Sequence, residues 1–375
     1  RSIGLPGKSF VPMMVGFGCT VPAIMATRTL DSRRDRFMTA FMSPFMSCGA
    51  RLPVYALFAA AFFAGRSGAV VFSLYLAGIA VAIGTGFLLK HTLFRGSVSH
   101  FIMELPPYHA PRLRFVAAQA WQRLSSFIRR AGVTITLIVT VLAVMNSIST
   151  DGSIGNEDEP DSILSTVGRS VTPIFGPMGV EQDNWAGTVG LFTGIFAKEA
   201  IVGTLSSLYG QAEAEEPGSQ GFDPVGGMMA ALRTIPEEFA GAGEGLTDPL
   251  GTGVVADDAE EVGGAVGADA TVFSRLRAQF SPEAAYAYLL FVLLYFPCVA
   301  SLSAAIREMG PGLGWLLAAY TTVVAWSLAT LFYQFSTGPE IGLVALALGL
   351  LAATAVVFRV LGGTVFKPSV IEGGS

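Results

Sequence analysis

The chain has 375 residues, 52% of them hydrophobic and 14% charged, with a mean hydropathy of +0.57 and a formal charge of −5. Soluble globular proteins carry about 25% charged residues, and several apolar runs here approach the ~20 residues that a helix needs to cross a bilayer core. The composition excludes an ordinary water-soluble enzyme and points to an all-α, polytopic transmembrane bundle.

The first apolar run, 11–26, is interrupted. Within "GFGCTVPAIMATR" (16–28) it holds Gly16, Gly18, Cys19 and Pro22, residues that a helix crossing lipid does not need. The second run, 37–65, is broken again by Pro44, Gly49, Arg51 and Pro53, with Cys48 among them. Residues 69–90 and 131–150 read as uninterrupted spans. The run 186–209 carries Lys198 and Glu199 at its middle, and 284–306 carries Pro297 and Cys298. Two more spans follow, 312–335 and 341–362. The first of these places Trp315, Tyr320, Trp326 and Tyr333 as interfacial anchors would be.

The connections separate by charge. Residues 90–130 hold seven Lys/Arg against one acid, and 28–36 add Arg28, Arg33, Arg34 and Arg36. Residues 151–185 hold seven acids and one Arg, and 203–283 hold fourteen acids and three Arg. Because Lys and Arg set orientation, 28–36 and 90–130 are expected on the cytoplasmic side and 151–185 outside. Beyond that, two parities stay open. Full crossings at 186–209 and 284–306 put Arg307, Arg359 and Lys367 outside; a re-entrant segment puts them inside. The breaks in those two segments favour the second. The chain opens on Arg1 without Met or a signal-peptide pattern, and reads as starting partway through a longer protein.

The candidate chemistry lies in the breaks. "GCTVPAIMATR" and "PCVASLSAAIR" both run from a Cys to an Arg across small apolar residues. Repeated broken helices are how many transporters build a midplane site. Thiolates are soft ligands that favour transition metals over Mg²⁺, Ca²⁺ or Na⁺, so Cys19 and Cys298 are candidate ligands, with Cys48 a third. An unwound backbone at Gly16, Gly18, Pro22 and Pro297 would add free carbonyls. Arg51, Lys198 and Glu199 are charges inside apolar runs and mark a pathway or an internal pair. "GLPGKS" (4–9) lacks the first glycine of a phosphate-binding loop, and neither a nucleotide site nor a nucleic-acid partner is expected.

Together these stretches resemble the membrane region of the FeoB-type ferrous iron transporters. The carrying sequences are "GLPGKSFVP", "GFGCTVPAIMATRTLDSRRDR", "MSPFMSCGARLPVYALFAAAFF", "MELPPYH", "GIFAKEAIVGTL" and "LLYFPCVASLSAAIRE". The resemblance implies a permease that moves Fe²⁺ across the bacterial inner membrane through two gate repeats. Cys19 and Cys298 fall on the gate cysteines, and Glu199 belongs to the front of the second gate. Thr20 stands where the family is expected to carry Asn.

The division that follows is 1–66, a remnant of the first gate; 67–150, a core with the basic loop 91–130; and 151–185, an acidic external loop. The second gate follows over 186–310, interrupted by the acidic insert 211–283, with C-terminal helices over 311–375. The chain itself is expected not to be an enzyme. GTP and Mg²⁺ would enter only through an N-terminal GTP-binding domain outside it. Lipid, Fe²⁺, that domain, small cytosolic accessory proteins and a homo-oligomer are the partners so implied. Another divalent metal, or nucleosides on a related gate fold, is the alternative substrate.

Overall fold

A computed structural model of the protein describes residues 4–94, 112–122, 125, 133, 140, 163–210, 255–256, 258–295 and 297–364. The expected span 131–150, apart from two positions, and most of the acidic insert lie outside the described residues. Among the described residues all regular structure is helical. The functional part is built from α1 (Phe10–Gly16), α2 (Thr20–Ala26), α3 (Arg33–Met42), α4 (Leu52–Phe62) and α5 (Ser67–His91). After α6 (Ile163–Val171) come α7 (Trp185–Phe196), α8 (Ala200–Gly210), α9 (Ala259–Val266), α10 (Ala270–Gln279), α11 (Pro282–Leu294) and α12 (Val299–Met309). The chain closes on α13 (Pro311–Thr337) and α14 (Ile341–Thr364). Among the described residues, five stretches are long and apolar enough to cross a membrane: Arg33–Phe62, Ser67–His91, Pro282–Met309, Pro311–Thr337 and Ile341–Gly362.

The interrupted runs resolve into two different shapes. In the first run, α1 and α2 pack along one another, and Lys8, before α1, meets Asp31, after α2, at 3.1 Å. Both ends of the run are therefore at the same end of the bundle, and 10–26 is a re-entrant hairpin with its apex at 17–19. The run 186–209 behaves likewise. Asn184 caps α7 by accepting from Gly187 N at 3.1 Å, and its side-chain oxygen also accepts from Tyr209 Oη at the far end of α8, at 2.5 Å. The α7–α8 pair goes in, turns at 197–199, and returns. Gly190 faces Leu205 and Gly194 faces Ile201, so two glycines four residues apart let the two backbones approach closely. Thr193 and Thr204 join their hydroxyls across the pair at 3.1 Å.

The other two interrupted runs cross fully. Segment α3–α4 starts beside Asp31 and ends where Arg277 Nε donates to Ala61 O at 2.6 Å. Gln279, two residues on, accepts from Asn184 Nδ2 at 3.2 Å. Segment α11–α12 starts at that Asn184 end and finishes at the opposite one, where Arg28 pairs with Glu308. Helix α5 returns from the Asn184 end: Ser73 hydrogen-bonds Tyr286 at 2.8 Å near its start, and Phe94 O, just past its end, accepts from Arg34 Nε at 3.0 Å. Gly310, at φ +89°, and Pro311 at the first helical position make the tight turn from α12 into α13. The halves thus carry the same parts in opposite directions: a hairpin, a broken crossing, then a continuous one (10–91 and 185–337).

Two expectations are corrected here. Tyr320 is not an interfacial anchor; it is buried, sharing a hydrogen bond with Thr85 Oγ1 at 2.8 Å and meeting Phe45 edge-on and Phe358 at a tilt. Pro22 does not break a helix. It is the third residue of α2, where its missing N–H would have had no intrahelical partner.

Candidate functional site

The four breaks lie on neighbouring elements of the bundle. At the first hairpin's apex the chain leaves α1 through Phe17 and Gly18, and Cys19 takes an extended conformation (φ −154°, ψ 132°) as the residue that starts α2. Gly18 O accepts from Gly49 N at 3.3 Å, tying this apex to the break in the α3–α4 crossing. Gly16 lies where a Cβ would come within 3.2 Å of Met46 Cβ, so the glycine lets the hairpin rest against that break.

The α3–α4 crossing is interrupted by two short 3₁₀ turns, Ser43–Phe45 and Gly49–Arg51, joined by extended residues that end in Cys48. A break at membrane depth frees carbonyls that must find partners. Arg51 supplies them. Its Nη1 and Nη2 both donate to Pro44 O at 3.2 Å, and Nη1 also donates to Met46 O at 3.2 Å. The buried charge that the sequence places in an apolar run is thus a backbone anchor.

In the α11–α12 crossing the helix ends at Leu294 and restarts after Cys298, with Pro297 preceding the thiol. Cys298 Sγ lies 3.2 Å from Ser301 Oγ. Tyr295, at the start of this break, donates its hydroxyl to Leu191 O at 3.2 Å, and Tyr288 donates to Gly187 O at 3.0 Å. These two bonds strap the second hairpin to the broken crossing. At the hairpin's apex, Ala197 is extended (φ −142°, ψ 120°), Glu199 is exposed, and Lys198 is buried with its Nζ 3.4 Å above the Tyr295 ring centroid.

The structure places the breaks that carry the predicted residues on neighbouring elements. Gly18 O and Gly49 N join the segment of Cys19 to that of Cys48, α2 packs against α12, which Cys298 starts, and Lys198 lies over Tyr295 at the edge of the Cys298 break. All three thiols are free; Cys19 is exposed and the other two half-buried. Among the described residues no three His, Cys, Asp or Glu side chains stand close enough to hold a metal ion as a ready cage. The methionines in the same region divide: Met42 and Met46 are core, while Met14 and Met25 are exposed. His91 bonds Phe87 O at 2.8 Å on its own helix; His100 and His109 lie outside the described residues.

The sequence reading missed Tyr295, Ser301 and the pairing of Arg28 with Glu308. It also paired the wrong stretches as repeats. α2 and α12 do lie side by side and run the same way, but one is the return arm of a hairpin and the other half of a crossing. The like parts carry a signal of their own. Cys-x-Ala-x-Leu occurs at Cys48–Leu52 and Cys298–Leu302, and Ala-Ile-x-x-Thr at Ala23–Thr27 and Ala200–Thr204.

The Gate family, described as "Nucleoside recognition", matches residues 1–62 and 128–312. "Ferrous iron transport protein B C terminus" matches 71–123. "Fe(2+) transporter FeoB" of Legionella pneumophila (strain Lens) is 45% identical over 365 residues, 95% of this chain and 47% of that protein. The protein of the same description from Salmonella typhimurium is 45% identical over 358 residues, 92% of this chain and 44% of its own length. No solved structure matches. The chain spans about half the length of the curated FeoB proteins to which it is similar, and it belongs to the Gate family.

Proposed function

We propose that this chain is the permease portion of a ferrous iron uptake transporter of the bacterial inner membrane, with Cys19, Cys48, Cys298 and Glu199 along the path of Fe²⁺. The observation that carries the reading is a free thiol at each of three helix breaks on neighbouring elements, between two hairpins that enter from opposite ends. Sulfur donors suit a transition metal better than Mg²⁺, Ca²⁺ or Na⁺. Extended residues at the breaks (Cys19, Cys48, Ala197) interrupt the helices, and carbonyls freed there would be the harder oxygen donors of a partly dehydrated ion. A conducted ion must also leave, and ligands on four separate segments can gather and release it more readily than a closed cage can. Arg51 and the two tyrosine straps hold the breaks open without contributing ligands.

On this reading the chain performs no bond chemistry of its own. Energy coupling would come from a GTP-binding domain of the kind that the resemblance implies, acting on the end of the bundle that carries Arg28. Accessory proteins and self-association would act through the same whole protein. The Gate family's description favours one other reading, a nucleoside path, but that would need amide, hydroxyl and carboxylate groups converging on a base and ribose. The breaks offer thiols.

The test is uptake by the full-length protein in reconstituted vesicles, with Fe²⁺, Mn²⁺, Zn²⁺ and a nucleoside supplied separately. Fe²⁺ uptake is expected, falling at least about tenfold in Cys19→Ser and in Cys298→Ser. Unchanged uptake in both variants at equal protein content would refute the thiol path, and uptake of the nucleoside alone would replace the substrate.

A further inference from the structure

A cavity of about 200 Å³ lies between α6, α7, α11 and α13, and the proposed iron path makes no use of it. Its floor is Val189, Leu191, Phe291 and Tyr295, all buried, and its rim includes the half-buried Val171 and Phe192. Along α7 it runs from Thr188 to Ile195, about 10 Å of helix. Three hydroxyls belong to its wall, and each is already engaged. Thr188 accepts from Thr172 at 3.0 Å, Thr322 donates to Ala318 O at 2.9 Å, and Tyr295 donates to Leu191 O at 3.2 Å. A buried water needs roughly two to four polar partners, whereas a dry apolar cavity of this order takes an apolar guest. The space is built for hydrocarbon.

Its position supplies the hydrocarbon. Helices α11 and α13 belong to membrane-crossing stretches. The cavity reaches from Gly168, packed against Trp185 beside the Asn184 end, down to Tyr295, where the α11–α12 crossing breaks. At that depth the surrounding solvent is acyl chain and not water. Hydrophobic transfer does not drive entry, because lipid is as apolar as the lining. The gain is the dispersion contact that an unfilled wall forgoes. A polar anchor stands at the upper end. Arg169, next to Gly168 on α6, is exposed, with its guanidinium carbon 5.6 Å from the centroid of the Trp185 ring. It forms no ion pair among the described residues. An arginine held over a tryptophan at the membrane boundary suits a lipid phosphate.

We propose that this cavity is a lipid site, holding one acyl chain of a phospholipid from the leaflet at the Asn184 end, with its phosphate at Arg169. The seated chain lies against Leu191 and Tyr295, the two partners of a bond that straps the second hairpin to the broken crossing. Lipid composition thereby bears on how firmly that hairpin is held, whichever substrate the path carries.

The experiment uses the full-length protein in nanodiscs of phosphatidylethanolamine and phosphatidylglycerol, with a fraction of the phosphatidylglycerol carrying a diazirine along one acyl chain. Light-induced adducts are mapped by peptide mass spectrometry. Adducts are expected on the floor, at Val189, Leu191 or Phe291, which lipid around the bundle does not reach, as well as on exposed α14 residues such as Leu346 and Val356. Val171→Phe, which fills the rim, is expected to lower the floor adducts at least about fivefold and leave those on α14 unchanged. Thr322→Phe should do the same from α13. Arg169→Gln is expected to lower the floor adducts at least about twofold. Wild-type adducts confined to outward residues such as Leu346 would overturn the inference, whether or not the filled variants fold. Floor adducts undiminished in both filled variants would overturn it as well, and floor adducts undiminished in Arg169→Gln would overturn the phosphate seat.

Discussion

Arg51 gives the sharpest test of how the breaks are maintained. Replacing it with Met keeps the length of the side chain and removes all three hydrogen bonds, leaving Pro44 O and Met46 O without their donors in a buried site. An unsatisfied buried acceptor costs about 1–3 kcal/mol. The two carbonyls together therefore cost about 2–6 kcal/mol, partly offset because a buried guanidinium with an unpartnered Nε is no longer carried. A net local loss of about 2–4 kcal/mol corresponds to roughly a 30- to 700-fold larger population of the opened break. Cys48 sits inside that break and is half-buried, so its alkylation rate reports the opening directly. We expect the rate to rise at least about tenfold in Arg51→Met. In Arg51→Lys, where a single ammonium cannot span two carbonyls as the planar fork does, the rise should be smaller. Cys48 alkylation in Arg51→Met equal to wild type would refute the anchoring role and return Arg51 to the pathway.

Two further substitutions probe the packing around the same breaks. Gly78 on α5 faces the Phe45 carbonyl so closely that a Cβ would stand 2.5 Å from the oxygen and 3.4 Å from Leu293 Cδ1. Gly78→Ala should cost about 1–3 kcal/mol by overpacking, read as a lowered melting temperature of the purified full-length protein. A variant as stable as wild type would mean that the break yields freely. At the far end, Arg28 and Glu308 join α2 to α12 through a bidentate contact, with Arg28 60% exposed. Solvent screening limits that pair to about 1 kcal/mol or less. Glu308→Gln should lower stability slightly at low salt and not at all at ~1 M salt, with the double swap Arg28→Glu, Glu308→Arg restoring it. Salt-independent loss in Glu308→Gln would point to packing and not charge.

The breaks themselves were legible in the sequence, because each places a proline, a glycine or a charge inside an apolar run where an uninterrupted helix would be cheaper. The uninterrupted spans 69–90, 312–335 and 341–362 were legible for the converse reason. What hydropathy could not give was direction. A hairpin of two short helices and a crossing of two short helices have the same composition and length. They differ only in long-range hydrogen bonds such as Tyr209 to Asn184 or Arg277 to Ala61. The same limit explains the mispaired repeats: Cys-to-Arg spacing was matched across elements of different kinds, while the true likeness rests on short Cys-x-Ala-x-Leu and Ala-Ile-x-x-Thr patterns. Arg51 stands out in the sequence as a charge inside an apolar run. Its partners are main-chain carbonyls, which no side-chain pattern announces.

Direction, once known, decides where the charges go. The first hairpin opens at the end where Lys8 meets Asp31, and Arg28, Arg33, Arg34 and Arg36 follow it there. Helix α5 brings Lys90 to the same end, and the Arg28–Glu308 contact brings Arg307. Gly362 packs against Thr92 and Leu93, so α14 ends there too and carries Arg359 near it. The second hairpin, being re-entrant, leaves α8 at the opposite end, beside Asn184. The chain comes back to α10 and α11 at that same end, through Gln279. Tyr209 and Gln279, on either side of the acidic insert, therefore both lie at the end opposite the arginines. Had 186–209 crossed fully, acidic and basic segments would have shared one side. Since lysine and arginine excess marks the cytoplasmic side, the arginine end is predicted to face the cytoplasm, with Tyr209 and Gln279 at the opposite end. Moving the basic excess should then invert the chain: neutralising Arg33, Arg34 and Arg36 together while adding lysines near Asn184 should raise the labelling of an engineered cysteine in the acidic insert from inside the cell. Labelling of that cysteine only from outside in both proteins would show that sidedness is set elsewhere.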